Sequence, residues 1–390
     1  MKKKKIAILG STGSIGTTTL DIIKKTDQFD VTLLLVNNNI NKIKKQINKF
    51  KPKIVIVVNK KSFLKIKKIN KDKKIIILNN TDNINKYLKR IDITVSAIPG
   101  IAGLKPTVDF IKLSKKILIA NKEAVVCGWN LIKNNSKKFK TELVSIDSEH
   151  FSIQELTKNY KNEDIDKIYI TASGGPFLNL RINKFKNIKP KAALKHPKWK
   201  MGSKISIDSA TLMNKVLELI EATRLFPFNF EKYKIVIHPQ SLVHAIVKFN
   251  NGITKFLYHE TDMSVPIANA LFNFKVNFKK ENLFKNKSNS IKNLEFIEVD
   301  KKRFPSISLI SRRNMTKSGP IILNAANEIF VDQFLKSKIS FNSIFRHLSL
   351  VLKDKNYIKY AKMKSNNLKT IYKIDKWARN VSLGLITRSK

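Results

Sequence analysis

Lys5-Ile6-Ala7-Ile8-Leu9-Gly10-Ser11-Thr12-Gly13-Ser14-Ile15-Gly16, followed by the helix-like run from Thr17 to Lys25, is the stretch that decides the fold. Lys5 to Leu9 has the short apolar pattern of a buried strand, and three glycines separate it from the helix. Strand, glycine turn and helix in that order form the context of a dinucleotide site. Glycines here permit a tight turn and close backbone approach, so amides at the helix start can face a pyrophosphate. The spacing is G-x-x-G-x-x-G, not G-x-G-x-x-G, and a plain glycine-rich turn stays open as the alternative.

The next apolar run, Val31 to Val36, ends about 20 residues beyond the glycines, where an NAD enzyme carries an acid for the ribose hydroxyl. Asn37-Asn38-Asn39 stand there, with Lys42, Lys44 and Lys45 following. No acid repels a 2′-phosphate and cations are near, which favours NADPH over NADH. Ile54 to Val58, Ile75 to Leu78, Ile93 to Ala97 and Ile117 to Ala120 continue the strand pattern between helical or lysine-rich segments. The alternation predicts an α/β fold with a Rossmann-like doubly wound parallel sheet at the N-terminus. Ala120-Asn121-Lys122-Glu123 follows one of these strands, at the end where open α/β sheets bind ligands. Lys122 is a candidate for an anionic substrate, with a solvated charge as the alternative.

Asp147-Ser148-Glu149-His150 follows the apolar run Leu143 to Ile146. If that run is a strand continuing through Glu149, its period of two places both acids on one side, where a hard divalent cation can sit. Thr171 to Phe177 is a small, hydroxylated, glycine-rich turn that either cradles a phosphate or is an ordinary turn. His196 to Gly202, containing Trp199, reads as a loop able to close as a lid, although a lone Trp is often simply packed. Ser209 to Glu218 reads as one helix with Ser209 near its start. Asn214, Lys215 and Glu218 share a face of it, so Glu218 is either a third carboxylate or the ion-pair partner of Lys215. His238 and His244 fit packing in a sheet better than metal binding. Lys275 to Lys292 has the composition of a linker. Beyond Pro305 the pattern turns helical, with Ile371, Ile374, Ala378, Val381 and Leu385 in one stripe and Leu323 to Glu328 starting another helix.

Composition bounds the function classes. A chain of 390 residues with 42% hydrophobic residues can build two or three domains. Lys+Arg 76 against Asp+Glu 29 gives a net charge of +47, which invites a nucleic-acid reading. The lysines are spread from Lys2 to Lys390 without a nucleic-acid-binding motif, so a compositional bias, such as an AT-rich genome imposes, explains them better. The single cysteine, Cys127, excludes an internal disulfide and fits a reducing compartment. Its neighbours Val125 and Val126 suggest buried packing more than a nucleophile. Lys2 to Lys5 and the apolar residues after them resemble the start of a signal peptide, but the stretch stops at Gly10. No window has the length of a membrane span, and a cytoplasmic protein is expected.

The set Gly10 to Gly16, Ala120 to Glu123, Asp147 to His150, Ser173 to Phe177, His196-Pro197-x-Trp199, Asp208 to Thr211, Met213 to Lys215 and Asn324 to Glu328 resembles the 1-deoxy-D-xylulose 5-phosphate reductoisomerase family in order and spacing across the chain. The resemblance implies NADPH, a divalent cation (Mg²⁺ or Mn²⁺), a phosphorylated sugar substrate, a homodimer, and no specific nucleic acid or membrane partner. It implies an NADPH-binding domain at 1–146, a central α+β catalytic and metal-binding domain with a lid at 147–275, a linker at 276–300 and a C-terminal helical bundle at 301–390. Asp147, Glu149 and Glu218 then fall to the metal and, with Lys122, to catalysis. Lys122, Ser148, Glu149, Ser173, His196, Trp199, Ser209, Asn214, Lys215 and Glu218 fall to the substrate. Thr12, Gly13, Ser14, Ile15, Asn37, Asn38, Asn39, Asn121, Glu123 and Gly202 fall to the cofactor. His150 is not a metal residue of the family. The chain departs at Asn37-Asn38-Asn39, where the family often has Gly-Lys-Asn.

The residue types suit the implied chemistry. Three carboxylates offer hard oxygen ligands for Mg²⁺ or Mn²⁺. Such a cation acts as a Lewis acid on a ketone and its neighbouring hydroxyl while a carbon–carbon bond breaks and re-forms, before hydride arrives from NADPH. Two readings compete: a basic nucleic-acid-binding protein exploiting the +47 charge, and an ordinary NADP-linked dehydrogenase using Cys127.

Overall fold

The β-branched runs of the N-terminal half become seven parallel strands: β1 (Lys4–Leu9), β2 (Phe29–Val36), β3 (Ile54–Val57), β4 (Ile76–Leu78), β5 (Ile91–Ser96), β6 (Ser114–Ile119) and β7 (Glu142–Ser145). Their order is β4-β3-β2-β1-β5-β6-β7, so the direction of winding reverses between β1 and β5. Ile6 to Leu9 and Ile54 to Val57 are fully buried, as strands covered on both faces must be. The computed structural model describes residues 2–70, 72–199, 201–278, 293–315 and 317–388.

The chain divides into two compact units, and the first comprises Met1–Ala124, Leu131–Phe151 and Asp262–Ile291. Helices α1 (Ser14–Ile23), α2 (Ile40–Phe50), α3 (Lys60–Ile69), α4 (Leu104–Ile111) and most of α5 (Lys122–Phe139) alternate with its strands, and the first residues of α6 (Ser148–Thr157) follow β7. Gly10 leaves β1 at φ +91°, and a Cβ there would lie 2.6 Å from the Ala97 carbonyl oxygen. Gly16, in the first turn of α1, packs tighter still: its Cβ would lie 2.4 Å from the Gly10 oxygen and 2.6 Å from Ser11 Cα. The close backbone approach inferred from the glycine spacing is thus a steric requirement at both ends of the turn.

The second unit comprises Val125–Asn130, Ser152–Thr261 and Lys292–Lys390. Its mixed sheet has the order β11-β10-β8-β9-β12, built from β8 (Ile165–Ala172), β9 (Tyr233–Ile237), β10 (Val243–Phe249), β11 (Thr254–Tyr258) and β12 (Ile297–Glu298). β8 and β9 are parallel and the other neighbours antiparallel. Helices α7 (Pro190–Ala193), α8 (Ser203–Ala210) and α9 (Met213–Leu225) lie within this unit. After α10 (Ser264–Phe272), which belongs to the first unit, α11 (Arg312–Met315), α12 (Gly319–Leu335), α13 (Phe341–Leu352), α14 (Tyr357–Ala361) and α15 (Leu368–Arg388) complete the chain. On α15 the expected stripe is buried at Ile371, Ile374 and Ala378, and α12 packs against both α13 and α15.

Four features differ from the sequence reading. The strand before Asp147 stops at Ser145, and Ser148 already begins α6. Asp147 is the reason: its carbonyl accepts the Phe151 amide at 2.8 Å and its Oδ1 the Glu149 amide at 3.4 Å, the arrangement of a residue starting a helix. The helix expected from Ser209 to Glu218 is two helices, broken where buried Leu212 takes φ +59°, so Ser209 ends α8 instead of starting a longer helix. The compact units do not follow the ranges 1–146, 147–275 and 301–390, because α10 buries Ile267, Leu271 and Phe272 in the core of the first unit, with Phe272 edge-on to Phe29 at 5.4 Å. The linker read at 276–300 falls largely on 279–292, outside the described residues, and its end contributes β12 to the second sheet.

Gly16→Ala should lower stability by about 1–3 kcal/mol, since both nearest obstacles are backbone and cannot rotate away. Urea unfolding measures it, and an unchanged midpoint would show that the turn can relax around a methyl group.

Candidate active site

In the first unit the candidate residues gather at the carboxyl ends of neighbouring strands. Ile119 of β6 pairs in register with Ser145 of β7, and the Ile146 amide donates to the Ile119 carbonyl at 2.9 Å. Each strand then releases a helix. Asn121 starts α5 by accepting the Ala124 amide on its side chain at 3.1 Å, while its own amide group donates to the Gly100 carbonyl at 3.1 Å. Lys122 is therefore directed inward, only 7% exposed, and its Nζ lies 3.0 Å from Asp147 Oδ2. The solvated-charge alternative for Lys122 is excluded by this burial.

Burial by itself would raise the Asp147 carboxyl, but the Lys122 ammonium, and after it His150, override burial and hold it well below the usual carboxylate range. His150 is fully buried with Nδ1 3.5 Å from Asp147 Oδ1. A strand through this segment would turn His150 away from Asp147 by its period of two, but the segment is a helix. Ser148 Oγ donates to Glu149 Oε2 at 2.5 Å. Asn121 and Glu123 are buried. Of the residues read for the cofactor, Gly13 and Ser14 are exposed and Thr12 and Ile15 half-buried at the start of α1, whose first turn has no side-chain cap. Asn37, Asn38 and Asn39 are exposed at the end of β2.

In the second unit Gly174 and Gly175 follow β8 at φ +78° and +66°. Gly175 presses against the end of α8, where a Cβ would lie 2.9 Å from Ala210 Cα and 3.0 Å from the Ser209 oxygen. The glycine turn and Ser209, 34 positions apart by their numbers, are thereby neighbours. Ser173 Oγ accepts the Gly175 amide at 3.1 Å and lies 3.0 Å from His196 Nε2. His196 Nδ1 accepts the amides of Trp199 at 2.9 Å and Lys198 at 3.2 Å, so the neutral ring carries its proton on Nε2. Burial, with the Lys215 charge adding to it, lowers the His196 pKa to about 4. Trp199 is half-buried with its ring edge-on to His244, 6.1 Å between centroids. Gly202 is exposed at the start of α8, and residue 200 lies outside the described residues.

On α9, Asn214 Nδ2 donates to Glu218 Oε1 at 2.5 Å and Lys215 Nζ to Glu218 Oε2 at 2.6 Å. Glu218 is thus the ion-pair partner of Lys215, as the second of the two readings had it, and it is only 1% exposed. The sequence reading left out Asp208 and Asn327 as a pair. Asp208, 1% exposed, accepts Asn327 Nδ2 at 2.7 Å and Lys204 Nζ at 2.7 Å, tying the helix that carries Ser209 to α12. Each residue stands in a quoted motif, but only the folded chain joins them. Cys127 is 1% exposed within α5, which removes it as an accessible nucleophile. Among the described residues no helix is long and apolar enough to cross a membrane.

Three family models match in sequence order: 1-deoxy-D-xylulose 5-phosphate reductoisomerase over residues 6–128, the C-terminal domain of that enzyme over 143–226, and the DXP reductoisomerase C-terminal domain over 259–381. A protein of that name from Pelagibacter ubique is 47% identical over 380 residues, covering 95% of this chain and 97% of that protein. Its counterpart from Chlorobaculum tepidum is 39% identical over 98% of this chain and 100% of its own length. Among solved structures, a DOX-P reductoisomerase in complex with NADPH, fosmidomycin and magnesium has a TM-score of 0.91 at 32% identity, with 98% of both chains covered. The Zymomonas mobilis enzyme in complex with NADPH has a TM-score of 0.86 at 31% identity, with 99% of both covered. The chain belongs to the 1-deoxy-D-xylulose 5-phosphate reductoisomerase family.

Proposed function

We propose that the chain converts 1-deoxy-D-xylulose 5-phosphate into 2-C-methyl-D-erythritol 4-phosphate, using NADPH and a divalent cation, as a step of non-mevalonate isoprenoid synthesis. Family membership over nearly the full length carries this reading, and the residues present fit both groups. Gly10 and Gly16 leave room only for hydrogen, and the start of α1 has no side-chain cap competing with a pyrophosphate. For the cation, the donor set is hard oxygen, with Asp147 held ionised. Asp147, Glu149 and Glu218 would hold Mg²⁺ or Mn²⁺. When bound, it supplies Lewis-acid polarisation of the substrate's ketone and adjacent hydroxyl.

The chain's own groups account for orientation. Ser173, Ser209, Asn214 and Lys215, with His196, would hold the phosphate, so binding energy remote from the reacting carbons is used to place them. His196 enters as a neutral donor through Nε2, and Lys215 as the charge. Lys122 and Ser148 would contact the sugar at the other end, and Trp199 would cover it and exclude water while hydride is transferred. Thr12, Gly13, Ser14, Ile15, Asn37, Asn38, Asn39, Asn121, Glu123 and Gly202 are proposed for the cofactor. The ranges 1–146, 147–275 and 301–390 are proposed as functional divisions. A homodimer and a cytoplasmic location complete the reading.

Oxidation of NADPH should require both 1-deoxy-D-xylulose 5-phosphate and Mg²⁺ or Mn²⁺, and absence of turnover by folded protein supplied with both would refute the activity. Glu218→Gln should cut kcat about 10²-fold or more while NADPH binding stays near the parent value; unchanged turnover would remove Glu218 from the metal. In the free protein His196 should stay neutral from pH 8 to 5, since its pKa is lowered from 6.5 to about 4. Its contribution to stability is full above 6.5 and is lost as pH falls from there towards about 4, because the unfolded chain takes up the proton first. An imidazole NMR resonance assigned to His196 that titrated near 6.5 would contradict the buried, Nδ1-accepting geometry.

A further inference from the structure

We infer that Lys44 and Lys65 form the cationic wall of a recess that takes the 2′-phosphate of the dinucleotide and sets the preference for NADPH over NADH. The inference rests on the activity proposed above and concerns how this chain, with no lysine at 37–39, recognises that phosphate. An open recess of about 510 Å³ begins at the end of β2, and Asn38, Asn39, Asn41, Lys44 and Lys65 contribute its polar lining. In an open doubly wound sheet, the adenosine ribose lies at this strand end, where an NAD-selective protein has a carboxylate for the 2′-hydroxyl. No residue lining the recess is acidic. The three asparagines after β2 can donate to phosphate oxygens without repelling them, but they supply no charge.

Position within the fold separates the lysines. Lys42 is directed to the glycine turn, its Nζ donating to the Thr12 carbonyl at 3.2 Å. Lys45 lines a different recess with Thr17 and Gln46. Lys44 remains, and Lys65 joins it from α3, a helix fixed to the loop by Ser62 Oγ donating to the Asn38 carbonyl at 3.3 Å. Asp72 lines an adjoining recess that shares Lys44, and its Oδ1 accepts the Lys74 amide at 2.9 Å. Both lysines are exposed, so each can reach a phosphate without the cost of a buried ammonium, and removing either leaves no cavity.

The test is direct binding of NADPH and of NADH to the full chain, without metal or sugar, followed by nucleotide fluorescence. Lys44→Gln and Lys65→Gln should each weaken NADPH about tenfold, as loss of a charge-assisted hydrogen bond does, and the double variant should weaken it further. NADH affinity should stay within about twofold in all three, which also reports that the site is folded, and Lys67→Gln, on α3 outside the recess, should change neither. Equal effects on the two nucleotides, or no effect on NADPH in the double variant, would overturn the recess while leaving the activity standing. A parent protein that bound NADH as tightly as NADPH would overturn the cofactor reading and the recess with it.

Discussion

The buried pair of Lys122 and Asp147 is the constraint on which the first unit's candidate site depends. Their side chains are 9% and 14% exposed. Such a pair is weak evidence for stability, because desolvation offsets most of the attraction. What it fixes is register. β6 and β7 end level with one another, and each must start a helix at once for the ammonium and carboxylate to meet. Asn121 and Asp147 do this with their side chains, so the residues that stop the strands also position the charges.

The second unit reaches a comparable result through positive backbone φ. Gly174 and Gly175 adopt it without steric cost, and Leu212, a buried leucine, adopts it against its preference. Together they let the turn after β8 seat against the end of α8, beyond which α9 starts in a new direction. A continuous helix would have carried Ser209 and Glu218 along one axis; the break separates them onto two helices. Asn327 on α12 secures the first of these through Asp208, giving the C-terminal helices a part in shaping the unit.

Charge, the loudest feature of the composition, matters less in bulk than in placement. Most of the +47 lies on solvated lysines of no assigned role. A few are individually located: Lys122 and Lys215 are buried against carboxylates, the exposed Lys42 reaches the Thr12 carbonyl in the glycine turn, and the exposed Lys44 and Lys65 line one recess. In lysine-rich chains, counting cations says little, and the partner of each cation says what it can do.

The parallel sheet, the tight glycine turn, the helical C-terminal region and the family were legible in the sequence, because each rests on local periodicity or on short motifs that survive without tertiary context. Gly10 to Gly16 is legible since steric demand acts within a few residues. Tertiary structure alone decided that Asp147 begins a helix, that Leu212 splits α8 from α9, and that α10 returns to the first unit's core. It also decided that Asp208 meets Asn327 and Lys65 joins Lys44. Those outcomes turn on contacts between residues distant in sequence, where burial and charge compensation override local propensity. A run of four such as Asp-Ser-Glu-His suits the end of a strand and the start of a helix equally well, until the folded chain shows Asp147 accepting the amides of Glu149 and Phe151 and starting a helix.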